Sequence, residues 1–480
     1  MAVLFKPRRR RTPTVLEMRQ RHVAEDRRSG WSGPVFRPGD TGFDAEHRSL
    51  NQTVEHRPEL VVGATCAEDI VSAVRFAIDG GLSVGVQSTG HGLAVPAGGV
   101  LISTRRMKEI SVDHVARTAR LGAGVQWQDV LPITARHGLA PLNGSSPHVG
   151  VMGYTLGGGV GLLGRRYGYA ADHVRWIDVV TADGQLRHVD AHQDPDRFFA
   201  LRGGQGNYGV ATQIEIDLFP VATLFGGGLY FAAADAAELL HTYRAWTRHV
   251  PEAMSSSVML STYPELSGVP DPLRGKYIAH LRIAFSGAPD EGETMIAPFR
   301  RLPPPLLDTL TRLPYRSVGT IHHEPIAPYK VFESGSYLGE LDDAAVDTIL
   351  GHAGPDAGVA VLCELRHHCG AYRRAPTMPN AVGGRDAEFT FYLGSQIDPE
   401  TMAKDRQVHG EFHEAIRPWA TGTAMLNFLG VGTARDRVRA AYTPETYERL
   451  RDIKTDVDPR NMFRINHNIP PRPSKKDGAI

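Results

Sequence analysis

The chain has 480 residues, with 53 Lys plus Arg balanced by 53 Asp plus Glu, and is 41% hydrophobic and 22% charged. This composition excludes disordered and collagen-like chains and leaves room for two or three domains of roughly 100–200 residues each. Balanced charge removes the general reason to expect nucleic acid or an anionic membrane as partner, and no stretch reaches the roughly 20 apolar residues that a bilayer span requires.

The N-terminus carries the basic run Lys6-Pro7-Arg8-Arg9-Arg10-Arg11. No apolar run follows it, so a secretory signal is not expected. Residues 1–50 read as a polar extension. Leu60-Val61-Val62 then reads as a short buried strand. Thr65 and Glu68 have capping-box spacing, with Thr65 as N-cap. Ile70, Val71, Val74, Phe76 and Ala77 give the following helix its apolar stripe, and Gly80-Gly81 ends it. The strand 82–86 leads into the turn Gln87-Ser88-Thr89-Gly90-His91-Gly92.

Further strands are expected at 100–103 and 118–125, with a helix over 127–137. The segments 176–181 and 185–189 form a hairpin around Asp183-Gly184, and 210–218 alternates as another strand. From about Leu224 the pattern becomes long alternating runs (277–285, 359–365, 388–393) interleaved with helical stretches at 238–250, 342–350 and 399–419. Such a chain suits an α+β fold, with a broad, mostly antiparallel sheet and flanking helices. Residues 444–457 form a last helix with Thr443 as N-cap and Pro444 at its first position. The tail after Pro470 reads as disordered. The three cysteines (Cys66, Cys363, Cys369) suit neither a zinc motif nor a disulfide framework. No metal site is expected, and a reducing cytoplasm fits best.

Gly204-Gln205-Gly206-Asn207-Tyr208-Gly209 matches G-x-G-x-x-G. A dinucleotide fold needs a strand before that motif and a helix after it. Here the helical 195–201 precedes and the alternating 210–218 follows, which rejects the Rossmann reading. The turn Gln87–Gly92 is more informative. Its glycines and the hydroxyls of Ser88 and Thr89 make a cradle for phosphate oxygens. Ser145, Ser146 and the run Gly150-Val151-Met152-Gly153-Tyr154-Thr155-Leu156-Gly157-Gly158-Gly159 are expected as the facing wall.

These residues resemble those of the berberine-bridge-enzyme-like flavoproteins of the vanillyl-alcohol-oxidase superfamily, which have a PCMH-type FAD-binding domain. The likeness is carried by Ser88-Thr89-Gly90-His91, by 147–154, by Gly157-Gly158-Gly159, by 199–204 and 206–210, and by the tail from 447 to Asn466-His467-Asn468. It implies FAD bound by residues 51–220 and by a returning segment at 421–470. Residues 221–420 would form the substrate domain and 471–480 a flexible tail. His91 falls on the histidine linked to the flavin 8α carbon, although a merely packed histidine stays open. Gly150, Val151, Gly153 and Val210 fall on flavin or adenine contacts. Asn466 and Asn468 resemble C-terminal flavin-site asparagines.

Two departures from the family pattern matter. Bicovalent members carry a cysteine where this chain has Ser146, so a link at flavin C6 is not expected. The glutamate of plant-type members aligns with Arg374, and the tyrosine of carbohydrate-oxidising members with Met425 or Phe428. The candidate proton acceptors are therefore Tyr372, Glu364 (if burial raises its pKa) and Tyr154, with His148 placed to orient substrate. The resemblance implies hydride transfer from a CH–OH or CH–NH group of a small molecule, with molecular oxygen as acceptor. A dehydrogenase with another acceptor, or a flavin-binding protein without turnover, stays open, as does the choice between monomer and homodimer.

Overall fold

The computed structural model describes residues 30–92, 95–324, 326–359, 361–398, 400–432 and 434–473. The basic run at 6–11 and the tail from 474 lie outside them. The described residues form three sheets, and the fold is α+β, in keeping with the alternation of apolar periods along the chain.

The first sheet has the order Val35–Phe36, Leu60–Gly63, Val100–Ser103, Val84–Gln87. Its last three strands are parallel. Leu60–Gly63 and Val100–Ser103 are buried at every position, as an apolar run without alternation demands of a sheet covered on both faces. The segment read as an extension is thus built in from Val35 onward: Val35 and Phe36 pair with Val62 and Val61.

Helix Ala67–Gly80 supplies the crossover, but the capping box does not form. Cys66 is the N-cap, without a side-chain bond. Instead, the Asp69 carboxylate accepts the Thr65 N–H and hydroxyl at 2.9 and 2.8 Å and the Ser32 N–H at 2.7 Å. These donors precede the helix and are tied to it by Asp69, and a carboxylate inside the first turn suits the helix dipole.

The second sheet is antiparallel, with the order Ile110–Asp113, Thr118–Gly122, Val210–Asp217, Val174–Val180, Leu186–Asp190. Helix Pro195–Gly204 precedes the glycine turn and strand Val210–Asp217 follows it, the order read from the sequence.

The middle domain is an eight-stranded antiparallel sheet. Its main path runs 307–308, 223–232, 277–285, 254–262, 362–367, 389–396, 331–338, and Thr311–Pro314 pairs with the second of these. Helices Ala236–Thr247, Pro289–Arg300, Asp343–Ala353 and Met402–Ile416 cover one face. They pack Leu239, Ile296, Ile349 and Phe412 against Leu229, Val258, Leu281, Leu365 and Phe391. Strand side chains alternate between faces, so the residues in between turn the other way.

Helix Pro444–Val457 matches its expected bounds, and Thr443 accepts the Thr446 N–H at 3.2 Å. The chain after it returns to the first sheet, where Val84 N–H donates to Met462 O at 3.1 Å.

Candidate functional site

The turn 87–92 is fixed from below. Gln87 is buried, and its amide is used inside the protein: Oε1 takes the Ser49 hydroxyl at 2.6 Å and meets His56 Nε2 at 2.9 Å, while Nε2 donates to Arg48 O at 3.1 Å. Its side chain is an anchor, so the cofactor contact expected at Gln87 would fall to its backbone. Leu50 and Asn51 donate their N–H groups to Thr89 and Gly90. Gly90 has φ +73°, and a Cβ on it would lie 2.6 Å from Ser49 Cβ, so only glycine fits.

The two glycine segments meet. A Cβ on Gly150 would lie 3.3 Å from Ser88 Oγ and 3.9 Å from Thr89 Cγ2. Gly92 and Gly153 have nothing within 4 Å of such an atom and border open space. Ser88 Oγ, Ser146 Oγ, Asn466 Oδ1 and Asn468 Oδ1 are buried without a hydrogen-bond partner. Buried polar atoms are almost always paired. Four such oxygens on the segments singled out in the sequence fit a large polar cofactor such as FAD, and these residues would hold it.

His91 is half-buried, with Nδ1 3.3 Å from Thr89 Oγ1 and its ring 6.4 Å from that of Tyr329. Burial, and secondarily His148, lower its pKa to about 4. The imidazole is therefore neutral at pH 7 and keeps a lone pair for bonding to carbon.

Other expected contacts have a different cause. A Cβ on Gly157 would lie 1.8 Å from Asn427 Oδ1, and one on Gly159 would lie 2.6 Å from the Tyr154 ring; Gly158 has φ +109°. Side chains and backbone geometry by themselves require these three glycines. Val151 and Val210 are buried in the hydrophobic core, which leaves only their backbones for a ligand.

The three expected proton acceptors are each held by contacts within the protein. Tyr154 is wedged edge-on to Trp127 at 5.5 Å, and burial holds its phenol well above the usual range. The Tyr372 hydroxyl donates to Gly161 O and accepts from Gly161 N, both at 3.1 Å, and burial likewise raises its pKa. It is a strut across the 161–164 turn. Glu364 receives Arg282 Nη1 at 2.8 Å and Arg366 Nη2 at 2.9 Å. Burial would raise its pKa, but Arg366 and Arg282 outweigh it and hold the carboxyl far below the usual range. The raised pKa expected for Glu364 is replaced by its opposite, and it makes a poor base. Arg374 is exposed and paired with Glu252.

The face of the middle sheet opposite those four helices, partly covered by the short helix Gly319–His322, carries what sequence reasoning missed. One row in direct register is Tyr230, His280, Met259, Glu364, Tyr392 and Gly335. The next is Gly228, Arg282, Ser257, Arg366, Thr390 and Tyr337. Glu333 lies on the same face and accepts the Tyr392 hydroxyl at 2.7 Å. Burial pushes its pKa up to about 7, against the Tyr392 hydrogen bond. Phe428 joins this face to the glycine segments: the Arg366 guanidinium lies 5.2 Å from its ring centroid, and the Tyr392 ring is also 5.2 Å away. The period-2 polar positions in 277–285 and 362–367 were the available signal.

A separate cleft of about 550 Å³, lined by Asp172, Arg175, Asp217 and Arg374 among others, contains none of the residues proposed to hold the cofactor. Among the described residues no group of three His, Cys, Asp or Glu is arranged to hold a metal ion, and no helix is long and apolar enough to cross a membrane.

Comparison with known proteins bears on this geometry. A family model described as "FAD binding domain" matches residues 58–190, and one described as "Berberine and berberine like" matches residues 421–470. The chain is 30% identical over 466 residues to (R)-6-hydroxynicotine oxidase of Paenarthrobacter nicotinovorans, covering 92% of this chain and 97% of the relative. It is 25% identical over 465 residues to FAD-linked oxidoreductase YgaK of Bacillus subtilis (strain 168), with the same two coverages. The crystal structure of 6-hydroxy-D-nicotine oxidase from Arthrobacter nicotinovorans superposes with a TM-score of 0.81 at 25% identity, covering 92% of this chain and 99% of that one. A xylooligosaccharide oxidase from Myceliophthora thermophila C1 shares the fold at TM-score 0.80 and 18% identity, over 92% and 98% of the two chains.

Proposed function

The chain belongs to the berberine-bridge-like family of FAD-dependent oxidoreductases, and from that premise we propose that it is an oxidase of a small organic molecule with FAD carried covalently on His91. The observation that carries this reading is the neutral His91 imidazole in the Ser88 turn, together with the oxygens of Ser88, Ser146, Asn466 and Asn468, which are buried and lack partners in the protein. FAD supplies a two-electron acceptor that takes hydride from a CH–OH or CH–NH carbon and passes the electrons to oxygen as hydrogen peroxide. Ser146 offers no sulfur, so His91 is the single attachment. We place the cofactor on residues 51–220 and 421–470, the substrate against the polar face of the sheet in 221–420, and the protein in the cytoplasm. Because the nicotine oxidase relative covers nearly the whole chain, 6-hydroxynicotine is the first compound to screen.

The test is acid precipitation of the purified protein. Yellow colour should stay with the pellet, and His91→Ala should move it to the supernatant or abolish it. A colourless wild-type pellet below a yellow supernatant would refute the covalent link. Peroxide release during substrate screening tests oxygen as acceptor.

A further inference from the structure

We propose that Glu333, held by the Tyr392 hydroxyl, accepts the proton that a bound substrate gives up as its carbon is oxidised. This rests on the oxidase reading and adds to it the acceptor that the sequence did not reveal.

The candidates sort by what surrounds them. Glu364 is saturated by two guanidinium groups, and Tyr154 and Tyr372 are weak acids locked into packing. Among the described residues no cation pairs with Glu333, and its side-chain hydrogen bond comes from a neutral phenol. It is half-buried on the face opposite the four long helices. The groups facing it are Tyr392 from strand 389–396 and Tyr329 and Glu324 from the segment before its own strand. Arg366 lies on the far side of Tyr392.

Its place joins the two halves of the site. Asn51 donates its N–H to Gly90 O in the His91 turn, and its Nδ2 donates to Val331 O at 3.1 Å, two residues before Glu333. On the other side, Tyr392 meets Phe428, and the adjacent Asn427 donates to Tyr154 O at 3.0 Å. A carboxyl titrating near pH 7 is matched to proton transfer at neutral pH.

The step balances. The substrate C–H bond breaks and its hydrogen leaves with both electrons for the two-electron acceptor. The O–H or N–H bond also breaks; its electron pair forms the second bond of C=O or C=N, and its proton forms an O–H on Glu333. Glu333 later returns that proton to water. Tyr392 is a positioning residue: it fixes the carboxylate and favours the charged, proton-accepting form.

The test measures the midpoint potential of the bound flavin against pH by photoreduction of the holoenzyme, so no substrate need be known. Wild type should show a bend near pH 7 from the neighbouring carboxyl, and Glu333→Gln should lose it while keeping its flavin. Tyr392→Phe should move the bend to higher pH, because the bond favouring the carboxylate is gone. This second variant also answers the question if Glu333→Gln fails to fold. Coincident wild-type and Glu333→Gln curves between about pH 5 and 9 would overturn the proposal, as would an unmoved bend in Tyr392→Phe. Purified wild type without flavin is a different result, which would overturn the oxidase reading itself.

Discussion

Lys454→Met should loosen the C-terminal segment from the FAD unit. Lys454 has no exposed side-chain surface, and its ammonium uses all three hydrogens: on Asn207 O at 2.7 Å, Asp458 Oδ2 at 2.8 Å and Phe463 O at 3.1 Å. Asp458, equally buried, also takes the N–H groups of Met462 and Phe463, both at 2.9 Å. Methionine matches the stem but donates nothing. Removing one partner of a buried ion pair costs about 3–5 kcal/mol, and each of the two stranded carbonyls adds about 1 kcal/mol. The total, about 5–7 kcal/mol, reaches the low end of the roughly 5–15 kcal/mol that holds a domain together. The segment 459–469 should therefore become cleavable by trypsin at Arg460 and Arg464, and flavin content should fall. Urea unfolding followed by circular dichroism measures the loss. A variant within about 1 kcal/mol of wild type, with full flavin and unchanged cleavage, would refute this account of the latch.

Glu333 should make stability depend on pH. Its folded pKa, about 7, lies above the ordinary 4.5, so the folded state holds the proton more tightly. That contribution is complete below pH 4.5 and is lost as pH rises through 7, so Glu333→Gln should exceed wild type by up to about 3 kcal/mol at pH 8 and show little difference at pH 4.5; a pH-independent difference in urea unfolding speaks against it. Glu364→Gln leaves Arg282 and Arg366 facing each other without a counter-charge and should cost about 3–5 kcal/mol, measured the same way. Gly157→Ala drives a Cβ into Asn427 Oδ1 and should cost about 1–3 kcal/mol; adding Asn427→Ala should recover part of it, and no recovery means the clash lies elsewhere.

Local rules carried the reading wherever the cause was local. Thr443-Pro444 starts its helix where caps and Pro geometry place it, and the order around Gly204–Gly209 was enough to set aside a Rossmann turn. Thr65 shows the limit: its spacing to Glu68 satisfied a capping rule, but Asp69, reaching also to Ser32, captured the donors. The glycine run shows a related limit. Gly157 and Gly159 make room for Asn427 and Tyr154, and Asn427 lies 270 residues further along the chain. Glu364 looked like a buried carboxyl awaiting a raised pKa because one of its two guanidinium partners, Arg282, belongs to a strand two places away in the sheet, and the other, Arg366, turns to the same face two residues along its own strand. Glu333 escaped notice because strand 331–338 lies at the sheet edge beside 389–396, out of sequence order, so nothing near Glu333 in the chain announced Tyr392.

The aligned rows on the polar face of the sheet bear on how this enzyme can change over evolutionary time. In strands 277–285, 254–262, 362–367 and 389–396, odd and even positions belong to different worlds, one oily and roofed by helices, the other polar. A one-residue insertion or deletion would swap them wholesale and is closed to selection. Point replacement at the polar positions leaves the roofed side untouched. New specificities can therefore be reached one side chain at a time, in small independent steps, on a frame that need not refold.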